Sequence, residues 1–157
     1  AKVVSFIDDV AGALTDADVV VARAGAGTVA EITAIGRAAV LVPFPFAADD
    51  HQAKNAMSLA ASGGAVSIRQ ELATVEHLAR ELTSLLRSDT DRIRIAHTSM
   101  RHGRPNAAFD VARDLLGLAN IPVIREPHVS FESSNGAPHP GKNVQNGRGL
   151  LPSWGAR

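Results

Sequence analysis

The chain has 157 residues, 45% of them hydrophobic, which suits one domain able to bury a core; its 16 lysines and arginines balance 16 aspartates and glutamates, so no overall field directs it to nucleic acid or an anionic membrane. The absence of cysteine excludes disulfides, thiolate metal sites and cysteine nucleophiles, and leaves the compartment open. Apolar runs such as Val19-Val20-Val21 are too short to span a bilayer, and no basic region followed by an apolar stretch marks a signal peptide.

In chain order, short β-branched runs alternate with amphipathic stretches, the pattern of strand-helix units around a parallel sheet in an α/β fold. Val3-Val4 reads as a strand or its exit, and a start at Ala1 without methionine leads us to expect an N-terminally truncated domain. Asp8 or Asp9 is expected to cap a short helix to about residue 14, and residues 19–22 read as a buried strand. The turn Gly25-Ala26-Gly27 opens a helix over residues 28–35, ended by Gly36. Residues 39–42 form the next strand, which Pro43 and Pro45 stop because proline donates nothing to a ladder. After an irregular loop, Asp49 or Asp50 caps a helix to about residue 61; Gly63-Gly64 ends it, and residues 65–68 read as a further strand, giving a sheet of at least four.

From Thr74 the pattern turns helical, with Val75, Leu78, Leu82, Leu85 and Leu86 on one stripe. Helices are expected over residues 89–100 and 106–116, with Pro105 in the first turn of the last. Five of the eight prolines and five of the thirteen glycines fall after Ala119, so residues 120–157 read as a disordered low-complexity tail carrying the lone Trp154, and residues 1–119 as the folded domain.

Chemistry concentrates in two places. The segment from Arg23 to Glu31 lies between strand and helix, where free backbone N–H groups and the helix dipole can hold a phosphate, although its glycines do not have the dinucleotide-fingerprint spacing. Thr28 and Glu31 have the spacing of a capping box, the reading that spacing alone favours, with acceptance from both hydroxyls of a ribose by Glu31 as the alternative. The run Asp49-Asp50-His51-Gln52, with Asn55 on the same helix face as Gln52, follows a strand's carboxyl end and offers donors and acceptors suited to sugar hydroxyls; an aspartate-capped solvated helix is the alternative. Adjacent residues point apart, so Asp49, Asp50 and His51 make no metal site. His77, His97 and His102 read as surface histidines without spaced acidic partners, and no serine sits in a nucleophile elbow.

Taken together, Phe6-Ile7-Asp8-Asp9, Ala17-Asp18-Val19-Val20-Val21, Arg23-Ala24-Gly25-Ala26-Gly27-Thr28-Val29-Ala30-Glu31-Ile32 and Val42-Pro43-Phe44-Pro45, followed by Asp49-Asp50-His51-Gln52 and Asn55-Ala56, resemble the MurG-like family of glycosyltransferases over about residues 1–118. The resemblance implies the C-terminal, Rossmann-like half of a two-domain GT-B enzyme that moves N-acetylglucosamine from UDP-N-acetylglucosamine to a lipid-linked muramoyl-pentapeptide in peptidoglycan synthesis. The implied enzyme needs no cofactor or metal and works at the cytoplasmic face of the bacterial inner membrane, touching the membrane and the acceptor through the other domain.

By the same resemblance Ile7 meets the uracil edge with Phe6 nearby, Ala26, Gly27 and Thr28 face the diphosphate, Glu31 holds the ribose, and Gln52 and Asn55 bind the sugar with His51 beside them. None of these is a catalytic base, and this part alone is expected to be inactive. A transferase for another acceptor, or a non-catalytic nucleotide-sugar-binding module, remains the alternative reading.

Overall fold

The computed structural model describes residues 2–121; the expectations for the tail and Trp154 lie outside the described residues. Helix α1 spans Val10–Asp16, β1 Val20–Ala22, α2 Ala26–Ile35, β2 Ala39–Leu41, α3 His51–Ala61, β3 Val66–Ser67, α4 Val75–Arg87, α5 Asp89–Met100 and α6 Ala107–Leu118. The strands form one parallel sheet in the order β1-β2-β3, with Val20 beside Ala39 and Val40 beside Val66. Helices α2 and α3 supply the two crossovers.

The middle strand is apolar throughout because it is covered on both faces, as parallel strands are. Ala39 and Leu41 point into a cluster with Ala24, Ile32, Ala56, Leu59 and Ala65, while Val40 points the other way among Ala38, Ile68, Leu85 and Ile95. Ile32, Leu41 and Val40 are fully buried, each contributing about 1.5–3 kcal/mol of transfer free energy.

Boundaries follow from local chemistry. Asp9 caps α1 by accepting from the Gly12 N–H at 2.8 Å, and Thr74 and Ser88 cap α4 and α5 in the same way. Gly36, at φ 72°, ends α2, and Gly63, at φ 80°, ends α3 through paired bonds from Gly63 N to Ala60 O and Gly64 N to Leu59 O.

Several expectations are corrected. The sheet has three strands among the described residues, not four: Val3 and Val4 are exposed and pair with nothing, so no ladder forms there. On α4 only Leu78, Leu82 and Leu85 pack into the core, because Val75 in the first turn and Leu86 rotate out to solvent. Pro105 lies before the N-cap Asn106 of α6 rather than in its first turn. His77 does have an acidic partner, one turn along the same helix: its Nε2 is 3.7 Å from Glu81, and its Nδ1 lies 2.9 Å from the Leu72 carbonyl.

Candidate functional site

In a parallel sheet with helical crossovers, the strand carboxyl ends and the N-termini of the following helices converge on one edge. Here β1 feeds α2 through Arg23, Ala24 and Gly25, and β2 feeds α3 through residues 42–50. The two connections touch: Asn55 Nδ2 on α3 donates to the Ala24 carbonyl at 3.1 Å.

Helix α2 starts two residues earlier than the sequence pattern predicts, with Gly25 as N-cap and the first helical bond from Val29 N to Gly25 O at 3.0 Å. Thr28 and Glu31 therefore sit inside the helix, and the capping box they were expected to form is absent, because the backbone of Gly25 already sets the start. No side chain caps this end. The first-turn N–H groups of Ala26, Gly27 and Thr28 precede that first bond and point to the edge, where they and the helix dipole favour an anion.

The glycines of this turn serve no internal packing. A Cβ built on Gly25 or Gly27 meets no atom within 4 Å, and neither residue has a positive φ. Glycine in a helix costs about 0.5–1 kcal/mol relative to alanine, so Gly27 weakens the fold without a steric need. What it does provide is a backbone open to close approach from outside. Glu31, one turn on, is exposed and makes no hydrogen bond or ion pair among the described residues.

Helix α3 starts differently from expectation. Asp49 and Asp50 form a turn with φ of 48° and 57°, and Asp50 occupies the N-cap position without a side-chain bond. The left-handed backbone turns these carboxylates away from the first-turn N–H groups, so the predicted aspartate cap does not form. His51 is exposed, with Nε2 3.6 Å from Asp49 Oδ2. The Gln52 amide is fixed by the Phe44 N–H, which donates to Oε1 at 3.0 Å and leaves the Gln52 NH2 group free to donate. Gln52 and Asn55 are both half-buried and lie on one helix face, as the spacing predicts.

The structure thus brings Ala26, Gly27, Thr28, Gln52 and Asn55 together at one edge. Phe6 and Ile7 lie in the segment before α1 and are 75% and 47% exposed. Sequence reasoning assigned no role to Arg23, whose guanidinium bonds the carbonyls of Val42 and Pro43 and the side chain of Gln70, and lies over the Phe44 ring. Its signal was position alone: a lone cation directly after a strand of apolar residues, which the structure leaves only half-covered, with Val21 48% exposed. Among the described residues no three His, Asp or Glu side chains are grouped to hold a metal.

The model of the glycosyltransferase family 28 C-terminal domain matches residues 1–111. A UDP-N-acetylglucosamine–N-acetylmuramyl-(pentapeptide) pyrophosphoryl-undecaprenol N-acetylglucosamine transferase of Sorangium cellulosum is 51% identical over 122 residues, covering 78% of this chain and 30% of the relative. The Erythrobacter litoralis protein of the same name is 44% identical over 112 residues, covering 71% of this chain and 28% of its own length. The crystal structure of Acinetobacter baumannii MurG superposes with a TM-score of 0.68 at 40% identity, covering 74% of this chain and 33% of that one. The chain spans about a third or less of the length of these relatives. Its match to the family model over residues 1–111 places the chain in glycosyltransferase family 28, as the C-terminal domain of that family.

Proposed function

We propose that this chain forms the donor-binding part of an enzyme that transfers N-acetylglucosamine from UDP-N-acetylglucosamine to a lipid-linked N-acetylmuramyl-pentapeptide. The observation that carries the reading is the convergence, on one sheet edge, of an uncapped glycine-opened helix N-terminus with the pinned amides of Gln52 and Asn55. A diphosphate fits the first, and sugar hydroxyls fit the second. The 51% identity to a relative bearing that activity in its name supports the choice of donor and acceptor.

In the proposed reaction the acceptor's 4-hydroxyl oxygen bonds to the anomeric carbon as the bond from that carbon to the UDP oxygen breaks, with inversion. A base outside this chain takes the hydroxyl proton. The α2 N-terminus stabilises the charge that develops on the departing diphosphate, Glu31 holds the ribose hydroxyls, and Phe6 and Ile7 meet the uracil. His51 stands beside the sugar. The enzyme would work at the cytoplasmic face of the bacterial inner membrane, where its acceptor lies, and serve cell-wall growth and division.

The test is a transfer assay with UDP-N-acetylglucosamine and lipid-linked muramoyl-pentapeptide, run on the protein at its natural length and on the 157-residue chain. Transfer by the first and donor binding without transfer by the second support the reading, since positioning of acceptor against donor accounts for about 7–11 kcal/mol of barrier lowering. Comparable turnover by the short chain would show instead a complete small transferase, and transfer to a different acceptor would assign the domain to a related enzyme.

A further inference from the structure

Among the described residues, Arg23 is the one side chain whose hydrogen bonds tie together the connections after all three strands. It follows β1 directly, its Nη1 donates to the carbonyls of Val42 at 3.2 Å and Pro43 at 3.3 Å just past β2, and it also bonds Gln70 Oε1 after β3. Its guanidinium carbon lies 5.6 Å from the centroid of the Phe44 ring, which packs edge-on against Phe46. The carbonyls it grips immediately precede Phe44, whose N–H holds Gln52, and its own neighbour Ala24 holds Asn55 through its carbonyl. Both amides assigned to the sugar are therefore mounted on backbone that Arg23 fixes, one on each side of it.

We infer that Arg23 is a positioning residue that sets the register between Gln52 and Asn55, and so governs recognition of the sugar rather than of the nucleotide. This rests on the donor-site reading above. The nucleotide groups are mounted otherwise: the α2 start proposed to face the diphosphate is held by its own helix and by the core around Ile32. Residues 44–46 have no such core anchor, since Phe44, Pro45 and Phe46 are exposed. Lysine cannot replace the guanidinium, because an ammonium offers a point charge with neither the planar fork nor the stacking face.

The experiment uses R23A and R23K in the protein at its natural length, with calorimetry against UDP and UDP-N-acetylglucosamine and amide hydrogen exchange at Phe44. In both variants affinity for the nucleotide sugar falls by about ten-fold or more, as loosening a mounted site by a fraction of an ångström does. Affinity for UDP stays within about two-fold. Exchange at Phe44 speeds up even without ligand.

Equal weakening of both ligands together with a lowered Tm would show a purely structural tie and overturn the inference. Full rescue by lysine would overturn it too, pointing to a direct charge contact with the diphosphate, and unchanged exchange at Phe44 would deny the mounting itself. If the unmodified protein binds neither ligand while R23A still speeds exchange at Phe44, the donor-site reading is what fails, and the recognition role goes with it.

Discussion

Replacing Gly27 by alanine separates what this residue does for the fold from what it does for a ligand, because the two effects have opposite signs. The added methyl meets no atom within 4 Å in the free protein, and the residue already has helical backbone in the first turn of α2. Alanine is then favoured over glycine by about 0.5–1 kcal/mol, which should raise Tm by about 1–5 °C for a chain of this size. The same methyl projects beside the free N–H groups at the helix start and holds a diphosphate off them. Loss of one charged hydrogen bond is worth about 1.5–3 kcal/mol, so UDP affinity should fall by about ten- to a hundred-fold. Thermal melts and calorimetry with UDP measure both effects. Gly117 on α6, whose Cβ also meets nothing, is the control: Gly117→Ala should stabilise without changing affinity. A Gly27→Ala protein that is stabilised and binds UDP normally would refute the diphosphate assignment at this turn.

Glu31→Ala should cost about 1.5–3 kcal/mol in UDP affinity by removing a charged acceptor from the ribose, while Tm stays constant because Glu31 makes no bond within the described fold; calorimetry beside a thermal melt checks both halves. Gly103→Ala should destabilise by about 1–3 kcal/mol without touching the site, because its Cβ would lie 2.6 Å from the Thr33 carbonyl oxygen and force the turn after α5 away from α2. Asp91 is held below the usual aspartate range by the Ser88 hydroxyl and by Arg94. A depressed folded-state value means that its contribution is present at neutral pH and is lost as pH falls through that value, so Asp91→Asn should flatten the acid limb of the stability curve in denaturant titrations.

The legible part of the fold was the part written in apolar periodicity and glycine. Residues 39–42 and 65–68 read as strands from their apolar runs, and Val40, Leu41 and Ile68 are central to the two cores, whereas residues 19–22, which read as buried, hold a strand at the sheet edge with Val21 48% exposed. Gly36 and Gly63 marked helix ends because they take positive φ there. Failures came where tertiary context decides. Val3-Val4 has strand composition but no strand to pair with, and Thr28 and Glu31 have capping-box spacing in a helix whose start Gly25 fixes three residues earlier. Glu31 and Gln52 were visible as candidates from their place after strand ends. The bonds that orient Gln52 and Asn55, from the Phe44 N–H and to the Ala24 carbonyl, join residues 8 and 31 apart, and no local pattern encodes them.

The way the helix starts are finished separates structural ends from the candidate site. Helices α1, α4 and α5 each begin with a side-chain cap, from Asp9, Thr74 and Ser88, worth about 1 kcal/mol apiece. Helix α6 lacks one at Asn106, but the turn before it closes on itself through Ala107 N to Arg104 O. Helices α2 and α3, the crossovers that follow β1 and β2, both forgo the side-chain cap, whereas α4, which follows β3, keeps one. There the chain also carries a glycine its packing does not require and two consecutive aspartates in the left-handed region, each a small cost to stability. Costs scattered over a surface would be ordinary variation. Concentrated on one edge, beside the amides of Gln52 and Asn55, they leave the α2 N–H donors without a side-chain cap, and under the proposed donor-site reading that sets stability against ligand binding at α2, the opposition that Gly27→Ala tests.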